Sequence, residues 1–271
     1  MKEANKNSHS QPSVTDQYRS VNVEITTTHN SDLKNLVVPR YTEEEHETWA
    51  IMFDRQFRTL PGRASQEYLD ALKLLNLPTK RIPKLIDVSA VLEKATGWKL
   101  TRVAGLVPEK EFFECLSQKL FPCTDFIRAR SELEYTPSPD MFHDIFGHIP
   151  LITNQTFADF YEFFGRAALN ADSEMLTKLQ RIYWFTVEFG LIRNPEGLRV
   201  YGSGILSSIG ESLWALGPNV RVHPFDYKVV ENQFYEIFHM QEDVFAIESF
   251  DWLLESFRNY AVKNRLLPAG A

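Results

Sequence analysis

The chain has 271 residues, with 29 Lys plus Arg against 36 Asp plus Glu and a formal net charge of −7. An apolar content of 44% excludes a disordered segment or an acidic tail, and the negative balance argues against nucleic acid or an anionic membrane as the main partner. Two cysteines, Cys115 and Cys123, cannot build a disulfide framework or a Cys-rich metal site; they read as reduced, partly buried thiols at a helix end and the turn after it.

Residues 1–38, rich in Ser, Thr, Asn and Lys, predict a flexible polar arm with one short extended stretch over 21–27. The arm has no apolar run of the kind a secretory signal needs. No stretch approaches the ~18 apolar residues of a membrane span. The expectation is a cytoplasmic protein. Order is expected from residue 39 onward. Thr42-x-x-Glu45 is a capping-box pattern, followed by Trp49, Met52, Phe53, Phe57 and Leu60 at helical spacing. Pro61-Gly62 ends that helix. Ser65 caps a second helix with Tyr68, Leu69, Leu72 and Leu75 on one face. Asp87 caps a third, which stops at Gly97, and Pro108 suits the first turn of a fourth carrying Phe112 and Leu116.

Turns dominate 135–140, and a helix opens near Met141. Further helices are expected over 156–169, from a Ser173 cap to about Ile192, over 205–216 after a tight turn at Gly202-Ser203-Gly204, and over 251–263. Residues 197–201 read as a short strand, and 229–245 as strand then loop. The fold class is mainly α: a single helical domain with a small β element and no internal repeat.

Three ligating residues have neighbours unsuited to a solvated surface. On a helix, Glu188 has Trp184, Phe185, Leu191 and Ile192 as its same-face neighbours. A carboxylate there is expected to be buried, and it needs a cation, a metal or a raised pKa; an ion pair with Arg181 or Arg193, or a different helix phase, is the alternative. His143 and His148 stand five residues apart, ~140° around an ideal helix. A helix that tightens or ends near Gly147 and Pro150 turns both imidazoles towards one point; otherwise they are a structural pair. Two imidazoles and one carboxylate make the set typical of non-haem Fe(II) oxygenases. A His₂Glu zinc hydrolase is the chemical alternative, with Asp144 or Glu211 as its general base. Tyr183, Trp184, Phe185 and Phe189 around the carboxylate suit a flat aromatic ligand and the exclusion of water, although most of the 20 Phe, 10 Tyr and 5 Trp are expected to be core.

These residues sit in a run, Pro139-Asp140-x-x-His143-Asp144-x-x-Gly147-His148-x-Pro150-Leu151, that resembles the signature of the pterin-dependent aromatic amino acid hydroxylases. Residues 183–190 and 201–208 are similar to two further motifs of that family in the same order, as are Val103-Ala-Gly-Leu106 and Cys123-Thr-x-x-Ile-Arg128. The likeness covers roughly 40–260 and is strongest to bacterial members that act on phenylalanine. It implies the family's helical catalytic basket over 39–271 and a monooxygenase that converts L-phenylalanine to L-tyrosine with O₂, tetrahydrobiopterin or a related reduced pterin, and Fe(II). It implies that His143, His148 and Glu188 hold the iron. Gly105, Leu106, Phe112, Asp144 and Tyr183 would meet the pterin, with Phe112 stacked on its ring. Arg128 would clamp the substrate carboxylate. Tyr135, Thr136, Pro139, Trp184, Phe189, Gly204, Ser207 and Ile237 would line the substrate pocket, Ser207 also bonding to His143.

The chain departs from the family pattern at Pro122, where animal members have His, at Ser138, where many have an acid, and at Asp144, where animal members have Glu. These positions bear on the pterin contacts and leave the iron set intact. The short arm and the lack of a terminal heptad run imply a monomer or small homo-oligomer without the family's tetramerisation helix. A tryptophan or tyrosine hydroxylase of the same family is the nearest alternative activity; aliphatic Ile237 offers nothing to a ring hydroxyl. A non-catalytic helical interaction protein would leave Glu188 unexplained.

Overall fold

Capping chemistry sets the helix starts. In the computed structural model of the protein, which describes residues 17, 29–30, 39–134, 136 and 138–270, α1 (Glu43–Thr59) opens on Thr42. Its Oγ1 accepts the Glu45 N–H at 3.3 Å, and the Glu45 carboxylate accepts the Thr42 N–H at 2.6 Å, the reciprocal box the pattern requires. α2 (Gln66–Leu75) is capped by Ser65. α3 (Leu85–Thr96) begins ahead of Asp87, which lies in the first turn instead of capping it; there a carboxylate still meets the positive end of the helix dipole. Pro108 is the N-cap of α4 (Glu109–Ser117) and not within its first turn. α6 (Gln155–Leu169), which follows the short α5 (Ile149–Ile152), is capped by Asn154. Asp172, not Ser173, caps α7 (Ser173–Tyr183), accepting the Met175 N–H at 2.9 Å. The expected stretch at 21–27, like most of the arm, lies outside the described residues.

Two small sheets complete the fold. β1 (His29–Asn30) pairs antiparallel with β2 (Lys99–Val103), which runs parallel to β3 (Leu120–Thr124) with Lys99 opposite Leu120 and Val103 opposite Thr124. Cys123 therefore sits in a strand and not in a turn. The second sheet has the order β5-β4-β7-β6, formed by β4 (Leu191–Asn194), β5 (Gly197–Val200), β6 (Arg221–Pro224) and β7 (Asp243–Ile247).

The helix expected to run from 173 to about 192 is the main departure. It ends at Glu188, and Leu191 and Ile192 enter β4. Asn194 and Gly197 close a hairpin around Pro195-Glu196, and Gly197 takes φ +116°, open to glycine without strain. Turn chemistry overrides helical spacing here. The single helix expected over 205–216 is two, α8 (Ser203–Leu206) and α9 (Ile209–Trp214), with Ser208 restarting the chain as a cap; Gly202-Ser203-Gly204 starts a helix instead of making a separate tight turn. Residues 229–245 hold the end of the short α10 (Tyr227–Val230), then loop, then most of β7, the reverse of the expected order. α11 (Phe250–Lys263) closes the fold against α6. Among the described residues, no helix is long and apolar enough to cross a membrane.

Aromatic packing fixes the segment between β3 and α5. Trp49 meets Phe142 edge-on at 5.4 Å, Phe142 stacks on Phe146 at 4.9 Å, and the Tyr68 hydroxyl donates to the Phe146 carbonyl at 2.6 Å. Gly147 lies against α8: a Cβ there would stand 2.8 Å from the Ser203 carbonyl oxygen, a backbone atom that cannot swing away. Gly147→Ala is therefore expected to destabilise the protein by about 1–3 kcal/mol, read as a lower urea midpoint with an unchanged slope. An unchanged midpoint would show that α8 shifts freely.

Candidate metal centre and its cavity

Both segments that carry the proposed ligands are π turns. Residues His143–His148 and Trp184–Glu188 leave the α pattern, and the closing bonds run from Ile149 N–H to Asp144 O and from Phe189 N–H to Trp184 O (2.8 Å), five residues back. A wider turn brings residues i and i+5 to one side, and such turns concentrate at functional sites. The expected tightening near Gly147 is thus a widening. It places His148 Nε2 2.9 Å from His143 Nε2. Glu188 Oε1 stands 3.3 Å from His148 Nε2, and Oε2 stands 3.7 Å from His143 Nε2.

Hydroxyl groups orient both rings from behind. The Ser207 hydroxyl donates its proton to the Ser203 carbonyl at 2.7 Å, so at 2.8 Å from His143 Nδ1 it can only accept. His143 is therefore the Nδ1–H tautomer, with the Nε2 lone pair turned to the centre. His148 Nδ1 lies 2.9 Å from the Tyr161 hydroxyl. Ser203 Oγ donates to Glu188 Oε2 at 2.7 Å. Burial, then the neighbouring His148, pushes the His143 pKa down to about 4, favouring the neutral ring. Burial works to raise Glu188, but His148, His143 and Ser203 outweigh it and hold its carboxyl at about 2. A neutral imidazole and an ionised carboxylate are the forms that bind a metal. Three such groups converging in a buried place fit one divalent cation.

Asp144 competes for the third position, since its carboxylate lies within 4.8 Å of the ligating nitrogens of both histidines. Its Oδ2 is occupied by the Thr124 N–H and Oγ1–H, at 2.7 and 2.8 Å. Glu188 faces both imidazoles and is the better placed of the two. Burial pushes Asp144 up to about 6 against the pull of His148 and Thr124.

A cavity of about 390 Å³ opens over the centre. Every residue that the resemblance assigned to the site lines it except Tyr135, which lies outside the described residues; Phe185, expected around the carboxylate, is core instead. Gly105, Leu106, Phe112 and Tyr183 line the cavity, and Phe112 meets Tyr183 edge-on at 5.7 Å. Trp184, Phe189, Pro139, Gly204 and Ile237 also line the cavity; Trp184 and Phe189 pack at 4.6 Å, and the indole N–H is held by Gln241 Oε1 at 3.1 Å. Thr136 Oγ1 donates to Ser138 O at 3.1 Å. Arg128 is buried and doubly bonded to Asp140, Nε to Oδ2 and Nη2 to Oδ1, both at 2.9 Å. Asp140 is wholly inside; burial works to raise its pKa, yet Arg128 keeps it below the usual carboxylate range.

Asp140, Tyr161, Thr124 and Ser203 were not singled out in the sequence. Asp140 stands within the quoted motif, where its helix-start position could have flagged it: it accepts the His143 N–H at 3.1 Å. Tyr161 and Thr124 come from α6 and β3, and no local spacing ties either to its partner.

A family model described as the biopterin-dependent aromatic amino acid hydroxylases matches residues 2–266. The chain is 43% identical over 221 residues to a phenylalanine-4-hydroxylase of Chromobacterium violaceum, covering 80% of this chain and 74% of that protein. Its fold is similar to the apo cold-active phenylalanine hydroxylase of Colwellia psychrerythraea (TM-score 0.82, 40% identity, 88% of this chain and 92% of that one). It is also similar to the Chromobacterium violaceum enzyme with bound iron(III) and 7,8-dihydrobiopterin (TM-score 0.81, 38% identity, 93% and 92%).

Groups that orient a metal-binding histidine set its affinity. Tyr161→Phe is expected to weaken Fe(II) binding by roughly ten- to a hundredfold in an anaerobic titration with the fold retained. Unchanged affinity would remove Tyr161 from this role.

Proposed function

The chain belongs to the biopterin-dependent aromatic amino acid hydroxylases, and from that premise we propose that it hydroxylates L-phenylalanine to L-tyrosine with O₂, a tetrahydrobiopterin-type pterin and non-haem Fe(II). The observation that carries this reading is the convergence of His143, His148 and Glu188 at an aromatic-lined cavity. Three protein donors leave coordination positions open, as oxygen-activating iron requires. When bound, Fe(II) would activate O₂ and the reduced pterin would supply the two electrons that let one oxygen atom enter the ring while the other is reduced to the level of water.

The protein's part is to hold and orient. His143, His148 and Glu188 are the proposed iron ligands, with Ser207 and Tyr161 fixing the imidazoles. Asp140 takes the Nε and Nη2 edge of Arg128, so Nη1 remains for the substrate carboxylate in a charge-assisted bond. Trp184, Phe189, Pro139 and Gly204 are the proposed ring pocket. A Cβ at Gly204 would stand 2.9 Å from Phe189 Cζ, so that wall has no room for a side chain. Thr136, Tyr135 and Ile237 are assigned to the substrate side. Gly105, Leu106, Phe112, Asp144 and Tyr183 are assigned to the pterin, Phe112 offering a ring face. Once both ligands are bound, this apolar lining excludes water from the reacting atoms.

Residues 39–271 are proposed as the catalytic unit, in a monomer or small homo-oligomer of the cytoplasm. The buried, unpaired thiols of Cys115 and Cys123 suit a reducing compartment, and α11 lies along α6 instead of projecting as a free helix.

Glu188→Gln and His143→Ala should each abolish iron binding and tyrosine formation while circular dichroism keeps its helical signal; wild-type turnover in either would unseat the ligand assignment. Metal analysis of the purified protein separates this reading from a His₂Glu zinc hydrolase. Arg128→Ala should raise KM for phenylalanine at least about tenfold, since it removes a charged partner. Competition among phenylalanine, tyrosine and tryptophan tests the ring preference, with phenylalanine expected to lead because Ile237 gives a ring hydroxyl no partner.

A further inference from the structure

An α-amino acid brings two opposite charges into a binding site, and recognition of both needs a cation and an anion placed side by side. Arg128 supplies the cation. The carboxylates that line the cavity are nearly all committed. Glu188 faces the two imidazoles. Asp144 accepts two bonds from Thr124. Glu134 is paired with Arg55 at 2.6 Å. Glu109 opens α4, the helix that carries Phe112, a residue assigned to the pterin.

Glu211 is different. It lines the same cavity from the first turn of α9. Burial pushes its carboxyl up to about 7, and the one group that favours the charged form is the backbone N–H of Gln241. The sequence Ser208-x-x-Glu211 is a capping-box pattern, but only half of the box forms. Ser208 Oγ accepts the Glu211 N–H at 3.3 Å, while the Ser208 N–H goes to Ile205 O at 3.3 Å. The carboxylate is thus released from the capping role that its position offers.

Its placement relative to Arg128 is favourable. A crevice of about 20 Å³ beside the main cavity is lined by Arg128 together with Ser207, Ser208 and Ile209. Arg128 and the segment that leads directly into Glu211 therefore face one crevice, and Arg128 and Glu211 both line the main cavity.

We infer that Glu211 is the anionic half of the amino-acid clamp: its carboxylate receives the substrate's α-ammonium while Arg128 receives the α-carboxylate. The inference rests on the phenylalanine reading above. It assigns a chemical reason to an acid that sits in the cavity with no ion pair among the described residues, since the ammonium supplies the countercharge that a buried carboxylate needs. It also makes the site selective for α-amino acids over simple aromatic acids.

The test measures equilibrium binding to the iron-loaded protein under anaerobic conditions, without turnover, for two ligands. One is L-phenylalanine; the other is 3-phenylpropanoate, which keeps the ring and carboxylate and lacks the ammonium. Glu211→Gln preserves size and removes the charge. It should weaken phenylalanine by at least about tenfold, the loss expected for a charged hydrogen bond, and leave 3-phenylpropanoate unchanged or tighter. Glu211→Asp should recover part of the phenylalanine affinity. In turnover, KM for phenylalanine should rise while kcat stays within about twofold, the signature of lost uniform binding. Equal weakening of both ligands, or phenylalanine binding unchanged in Glu211→Gln, overturns the assignment and leaves the phenylalanine reading standing. A wild-type protein that binds no phenylalanine overturns that reading, and this inference with it.

Discussion

Everything in this molecule is arranged around one electrostatic demand: two imidazole nitrogens and a carboxylate are held within 2.9 to 3.7 Å of one another, inside the protein. Burying such groups together is unfavourable without a compensating cation. The scaffold meets the demand with two departures from regular helix. The widened turns at His143–His148 and Trp184–Glu188 turn side chains inward that an ordinary helix would spread around its circumference. Each turn is then locked. Tyr68 bonds to the Phe146 carbonyl in the first, and Ser203 spans the Val187 carbonyl and the Glu188 carboxylate in the second. Because Gly147 packs on the Ser203 backbone, the two turns are also locked to each other through α8.

From that centre the hydrogen bonds run outward as a chain. Ser207 and Tyr161 hold the imidazoles, and Asp140 bonds both to the His143 backbone and to the Arg128 guanidinium. The proposed metal ligands and the proposed substrate clamp therefore share a support. Moving either would strain the other, which is the rigidity that positioning two ligands over one ion requires. The aromatic residues divide accordingly. Phe157, Phe160, Phe164, Phe250 and Phe257 pack among themselves far into the core, ring to ring. A smaller set faces the cavity, and its rings are pinned by neighbours: Trp184 lies stacked against Tyr235 at 4.6 Å and bonded to Gln241.

Local chemistry was legible where it was local. The Thr42 box, the Ser65 cap and the stop at Gly97 are each decided by contacts within four residues, and the hydrophobic stripe of α6 shows in its helical spacing. The misjudged places are those where a distant partner decides. Leu191 and Ile192 continue a helical stripe in sequence yet pair with β5 and β7. Asp172 and Ser173 are both good caps, and spacing could not choose between them. Lys99–Val103 and Arg221–Pro224 have no alternating pattern of their own and become strands because β3 and β7 lie beside them.

The same division holds for the site. By itself, the sequence drew attention to His143, His148 and Glu188 through ordered motifs that pointed to one family; of the four apolar neighbours read around Glu188, only Trp184 and Phe185 share its helical turn, since Leu191 and Ile192 lie in β4. The scarcity of cysteine agrees with a proposed metal site that needs only imidazole and carboxylate. Tertiary structure decided how five-residue spacing becomes one face, which of Asp144 and Glu188 faces both rings, and which hydroxyls stand behind them. Those outcomes depend on hydrogen bonds between residues 13 to 78 positions apart, and no periodicity along the chain carries information about a partner at that range.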